Sequence, residues 1–171
     1  RGAVAPVLLL ALALAGCVEI DGELAATGSL FFRYTYDPPP HATFKSERAR
    51  LSSPFVRVER LERDPTIVDG VASEFAIATI VVDDPAKLSS APAFAGIQVA
   101  ADVTKGELRV AFPGVPPEGQ ERVRNNPEAD RRALRLSLVL PGPVTRASPE
   151  ATIDGRRVTW VLSTRQFAAL G

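Results

Sequence analysis

Five stretches of this chain place apolar residues on every second position, and that period of two constrains the fold more than any other feature. Leu30, Phe32, Tyr34 and Tyr36 alternate with Arg33 and Thr35 between them. Ile97, Val99, Ala101 and Val103 alternate, as do Leu108, Val110 and Phe112. Leu134, Leu136, Leu138 and Leu140 are interleaved with Arg135, Ser137 and Val139, and Val158, Trp160 and Leu162 complete the set. Successive side chains of a strand point to opposite faces, so each stretch predicts a strand with one face buried. Lys105-Gly106 joins the second and third stretches in a predicted hairpin, and Asp154-Gly155 supplies the turn of another. Asp37-Pro38-Pro39-Pro40 stops the strand predicted over Leu24–Tyr36, because proline cannot donate to a ladder, and Pro141-Gly142-Pro143 stops the leucine strand.

The remaining elements are short. Phe75–Val82, rich in Ile and Val, predicts a strand covered on both faces. Asp84 then offers an N-cap and Pro85 a first helical residue for a short helix to Ser90. Ala42–Ser53 carries Phe44 and Leu51 seven apart among charges and predicts a short amphipathic helix, whereas Phe55–Arg63 fits strand or helix, with a turn to follow at Asp69-Gly70. Pro113–Glu118 reads as a loop, Asn126-Pro127-Glu128 as a cap and proline before a helical turn over Glu128–Ala133, and Ser163 or Thr164 as the cap of a helix over Arg165–Leu170 closed by Gly171. The expected class is α+β, a mainly antiparallel β-sheet with a few short helices.

Ahead of all this stands an apolar run from Ala3 to Ala15, about a dozen residues where about 20 are needed to span a bilayer. It leads into Leu14-Ala15-Gly16-Cys17, a full match to the lipobox: Leu, small, Gly or Ala, Cys. Small Ala15 and Gly16 leave the backbone and the Cys17 thiol open to a peptidase and an acyl-transferring enzyme. Residues 1–16 are therefore expected to be a lipoprotein signal peptide, and 17–171 a single β-rich envelope domain held to the membrane by fatty-acyl groups such as palmitate on Cys17. Val18 in place of Asp after the cysteine directs it to the outer membrane under the Gram-negative sorting rule, facing the periplasm or exterior. About 150 mature residues suffice for one core. Cys17 is the only cysteine, so no disulfide forms within the chain. Loss of residues 1–17 leaves 19 basic residues against 20 acidic ones, a balance that gives no footprint for nucleic acid.

Catalytic chemistry finds little to work with. The one histidine, His41, lies in a proline-rich loop and reads as an exposed loop residue, and there is no Gly-x-Ser-x-Gly elbow. A single His and a single Cys do not make a zinc site. Asp83 and Asp84 read as turn and cap residues before a Ca²⁺ or Mg²⁺ site. Pro113–Gly119 has too much proline for a phosphate cradle, and neither a Walker loop nor a dinucleotide fingerprint is present. No catalytic residue, metal or cofactor is assigned, and no enzyme activity is expected. The charges of Arg48–Arg63, with Glu47, Glu59 and Glu62 among them, read as a solvated face in preference to a headgroup-binding one. Trp160, at an inward strand position, reads as core in preference to a ligand anchor.

Leu140-Pro141-Gly142-Pro143-Val144, then Asp154-Gly155 and Val158-Thr159-Trp160, together resemble LppM-type bacterial lipoproteins, which combine a lipobox, a β-rich domain with a strand-Pro-Gly motif and a Gly-x-x-Val-x-Trp hairpin. The resemblance covers the leader and about 30 residues near the end, and more weakly Phe75–Phe94. It implies an α+β domain outside the cytoplasm in contact with envelope glycolipids, and it brings no catalytic residues; some relatives carry a C-terminal transmembrane helix. The function expected is that of a lipid-anchored, non-enzymatic envelope lipoprotein. Its ligand is an amphiphile (lipid or glycolipid) in a groove lined by Phe32, Tyr34, Leu136 and Trp160, or else an envelope partner. A hydrolase using carboxylates alone, with two acids converging in a cleft, and a structural subunit of an envelope assembly, with a large exposed apolar patch, are the alternatives.

Overall fold

The alternating stretches pair into one large sheet, seen in a computed structural model that describes residues 18–68, 71–112, 117–130 and 132–169. The leader with Leu14, Ala15, Gly16 and Cys17, the Asp69-Gly70 turn, positions 113–116 of the predicted loop, and Leu170 and Gly171 lie outside the described residues. Strands β1 (Val18–Leu24), β2 (Leu30–Tyr36), β3 (Val56–Val68), β4 (Val71–Val82), β7 (Arg132–Val139), β8 (Ala151–Asp154) and β9 (Arg157–Ser163) form a sheet in the order β3-β4-β2-β1-β7-β9-β8. Strands β5 (Gln98–Asp102) and β6 (Glu107–Ala111) make a separate hairpin. Only β1 and β7 pair in parallel among the described strands, so the class is α+β with a mainly antiparallel sheet.

One face of the sheet is the core. Across it run rows of side chains set by register, such as Ala78, Tyr34, Ile20, Leu136 and Trp160 on β4, β2, β1, β7 and β9. Two 3₁₀ turns (Pro85–Ser90 and Pro92–Phe94) and the β5–β6 hairpin cover this face. Phe94 sets its ring edge-on to Phe32 at 5.6 Å and to Tyr34 at 5.5 Å. The opposite face is solvated and ionic: Glu19 pairs with Arg135, and Asp21 with Arg157 at 2.8 Å.

The predicted hairpins form where their turns were placed, with Gly106 at φ 65° and Gly155 at φ 58°, the left-handed region that glycine enters without strain. Asp84 caps the first 3₁₀ turn by accepting from the Ala86 amide at 3.0 Å. The ambiguous Phe55–Arg63 segment is strand β3, bulged between Val58 and Arg60.

Several expectations are corrected. The strand predicted over Leu24–Tyr36 is two strands, with a turn closed by the Ala25 amide donating to Ser29 at 2.8 Å; β1 itself was not foreseen. Strand β4 is not covered on both faces along its length, since Thr79 is exposed. In helix α1 (Phe44–Leu51) the inward residues are Glu47 and Leu51, while Phe44 is exposed. Pro117 and Glu118 belong to helix α2 (Pro117–Asn125), not to a loop, and the turn predicted at Glu128–Ala133 is a 3₁₀ turn over Pro127–Asp130, because Arg132 already enters β7. Helix α3 (Thr164–Ala168) begins at a capping box in which Ser163 accepts from the Gln166 amide and the Gln166 side chain accepts from the Ser163 amide.

Candidate functional site

A groove of about 670 Å³ opens between the tip of the β5–β6 hairpin and the segment that follows β7. Its floor is the end of the apolar sheet face: Leu24 of β1, and Val158 and Trp160 of β9. One wall is the hairpin tip, Asp102 to Arg109; the other is Leu140 to Ala147.

Each wall is built by local chemistry. Pro141 and Pro143 keep their segment out of any ladder, and it is tied down instead by the Leu140 amide donating to Arg156 O and the Val144 amide to Gly155 O, both at 2.9 Å. Arg156 Nε donates back to Leu140 O at 2.7 Å, and the Trp160 indole N–H donates to Ser148 Oγ at 2.8 Å. That last bond satisfies the polar end of a ring that lines the groove. At the hairpin tip Asp102 accepts from Thr104 Oγ1 at 2.6 Å and from the Lys105 amide at 3.1 Å. Those hydrogen bonds, from Thr104 first, hold its carboxyl below the usual range.

The rim carries Lys105, Arg109 and Arg146 against Asp102 and Glu107. Lys105 pairs with Asp102 at 3.2 Å and Arg109 with Glu107 at 3.6 Å. Arg146 makes no ion pair among the described residues, so the rim offers one uncompensated positive charge.

Behind the groove, between hairpin and sheet, is a wholly apolar cavity of about 50 Å³ that touches Phe32, Phe94 and Leu136; Leu24 and Leu108 line both spaces. The four residues proposed for a ligand groove therefore share one face and then part. Phe32, Tyr34 and Leu136 are buried in the core, with Tyr34 stacked on Tyr36 at 4.5 Å, and only half-buried Trp160 reaches the open groove. Sequence reading missed Arg146 and the 140–147 wall, which have no periodicity; Pro141-Gly142-Pro143 signalled a strand end but not what that end would face.

A second polar group lies in the core. Tyr36 donates to Glu47 Oε2, and Arg50 donates to the same carboxylate through Nε at 3.2 Å and Nη2 at 2.9 Å. Burial pushes the Glu47 carboxyl up, and the bonds from Arg50 and Tyr36 outweigh it, so the group sits below its ordinary range. Burial pushes the Tyr34 phenol up to about 12 and Tyr36 higher still, the Glu47 hydrogen bond adding to the latter. The charges of Arg48–Arg63 are thus not one solvated face: Glu47 and Arg50 turn inward, and Arg63 reaches Glu74 and the Ala42 carbonyl.

His41 is exposed, at φ 65°. Asp83 pairs with Arg57, and no group of three or more His, Cys, Asp or Glu is placed to hold a metal among the described residues. No helix of the described residues is long and apolar enough to cross a membrane.

Neither a protein-family model nor a curated protein sequence matches the chain. Among solved structures it is similar to the NMR structure of the folded domain of Mycobacterium tuberculosis LppM, at 13% identity and a TM-score of 0.46, over 86% of this chain and 82% of that one.

Proposed function

We propose that this chain is a lipid-anchored, non-enzymatic protein of the bacterial envelope, acylated on Cys17 and facing the periplasm or exterior, whose groove beside Trp160 receives an amphiphilic lipid or glycolipid. The observation that carries the reading is the pairing of half-buried Trp160, set over buried Leu24 and Val158, with a rim on which Arg146 is uncompensated. An acyl or other apolar portion gains by leaving water against the Trp160 ring, at about 25 cal/mol per Å² of apolar surface, and an anionic headgroup gains at Arg146. A binding role is supported by how the rim acids are used, Asp102 as the ion-pair partner of Lys105 and Glu107 as that of Arg109. The anchoring rests on the Leu14-Ala15-Gly16-Cys17 motif.

Intact mass spectrometry of the protein recovered from membranes tests both halves. The expected species starts at Cys17 with added acyl mass and carries a copurifying lipid. Cys17→Ser is expected to release the protein from the membrane or leave its leader uncleaved; an unmodified chain retaining residues 1–16 overturns the anchoring. Added lipid is expected to shift the emission of Trp160, the only tryptophan, and Arg146→Ala to weaken that response about tenfold. Lipid binding with no change in Trp160 emission overturns the groove.

A further inference from the structure

Resting on the amphiphile binding proposed above, we infer that the ligand's hydrocarbon chain passes from the groove between Leu24 and Leu108 into the apolar cavity beneath the β5–β6 hairpin, whose tip lifts to admit it. The lining of the cavity fixes the chemistry. Its side chains are apolar without exception, from Ile20, Phe32 and Leu136 on the sheet to Phe94, Val99 and Val110 on the cover. A hydroxyl, amide or phosphate placed there meets no side-chain hydrogen-bond partner and gives up its bonds to water, whereas a hydrocarbon gives up none. From Leu24 to Ile20 the space follows β1 for four residues, about 13 Å, the length of a chain of about ten carbons.

Groove and cavity meet at Leu24 and Leu108, which line both. Leu24 is buried in the sheet, and half-buried Leu108 stands on β6 just past the hairpin turn. Lys105, Arg109 and Arg146 all lie on the groove side, and none of them lines the cavity. An amphiphile is therefore sorted along its length, with its charged head at the rim and its chain inward.

The hairpin is free to lift as a unit. At about 50 Å³ the closed cavity is too small for a chain, so entry requires that motion. Strands β5 and β6 pair only with each other, and among the described residues no hydrogen bond or ion pair joins residues 98–111 to the large sheet. The root of the hairpin is tied by the Ile97 amide donating to Phe94 O at 3.0 Å, next to Gly96 at φ 87°. Its tip is bonded to itself, Asp102 accepting from Thr104 and Lys105. Lifting the tip breaks apolar contacts alone, and the incoming chain replaces them. Because the tip is also the groove wall, the same motion parts Leu108 from Leu24.

The test uses the full chain carrying Cys17→Ser, so that no acyl group of its own competes, with octanoyl, decanoyl and dodecanoyl lysophosphatidylglycerol below their micelle concentrations. Cross-relaxation in NMR spectra is expected between the terminal methyl of the decanoyl chain and the methyls of Ile20, Leu136 and Val110, which line the cavity and not the groove. Affinity is expected to rise about fourfold per added methylene, the increment for full burial, against about twofold for a chain lying half in water along the groove. Leu108→Gln, at a half-buried position, is expected to weaken decanoyl binding about tenfold by setting an amide in the chain's path. Lipid that shifts the Trp160 indole resonance without reaching the cavity methyls, or that gains only twofold per methylene, overturns this inference and leaves the groove standing. Absence of any response to the three lipids overturns the amphiphile reading and the inference together.

Discussion

Glu47 is the buried carboxylate on which α1 is docked. It is 2% exposed and is met by Tyr36 from the sheet and Arg50 from its own helix, whose guanidinium lies 5.1 Å from the Tyr36 ring centroid. A buried pair of this kind adds little over apolar packing, but breaking it strands a charge. Arg50 Nη1 already lacks a hydrogen-bond partner among the described residues, so Glu47→Ala leaves a guanidinium with nothing to balance it. The expected cost is about 3 kcal/mol in urea unfolding. The pH dependence has two limbs. Because the folded Glu47 carboxyl titrates below its unfolded value, its stabilisation is present above about pH 4 and is lost as the pH falls through the folded pKa. For Tyr34, pushed up to about 12, the contribution is intact below about pH 10 and is lost as the pH rises through 12. Urea midpoints measured against pH are expected to fall at both ends, and Glu47→Gln to flatten the acid limb and to change the alkaline limb as well, since the Glu47 charge helps to raise Tyr36 and Tyr34. Nothing in the sequence marked Glu47 apart from Glu59 or Glu62, since helical spacing shows a face but not what it meets.

At the scale of elements, the pairing of β1 with β2 turns on Gly22. A Cβ there would lie 2.6 Å from Phe31 O and 2.7 Å from Phe32 Cβ, with Leu138 Cδ2 at 3.3 Å. The nearest obstacle is backbone of the neighbouring strand, which yields only if the ladder shifts. Gly22→Ala is expected to lower stability by about 2 kcal/mol, seen as a lower thermal midpoint, with the hairpin of β8 and β9 untouched. The same residue explains why β1 was not read: the inward positions run Val18, Ile20, Gly22, Leu24, and glycine breaks the apolar alternation at a place where β2 leaves no room for a Cβ. By contrast, the β5–β6 and β8–β9 hairpins were legible because turn and strands are contiguous in sequence. Helix α2 escaped notice because its described side chains present Val123 alone to the interior, too little for a helical period.

At the scale of the whole molecule, β1 joins two halves. It bridges β3-β4-β2 on one side and β7-β9-β8 on the other, and its pairing with β7 is the parallel contact between sequence-distant strands. A chain beginning at Leu24 is expected to lose cooperative unfolding and near-ultraviolet circular dichroism, because the sheet is cut in its middle; retention of both would show that the halves pair without it. The ion pairs on the solvated face do not compensate, for Glu19 and Arg135 remain 40% and 38% exposed and such pairs are worth at most about 1 kcal/mol. What the sequence by itself determined was local: alternation named most of the strands, proline and glycine marked where they stop and turn, and the lipobox gave the expectation of an anchor. Only the tertiary structure decided the strand order, the inward turn of Glu47, and the division of one apolar face into packed Phe32, Tyr34 and Leu136 and an open groove at Trp160. The physical reason is that period and turn chemistry are properties of neighbouring residues, whereas burial depends on which distant segment, here the β5–β6 hairpin and the 140–147 wall, comes to cover or leave open each part of the sheet.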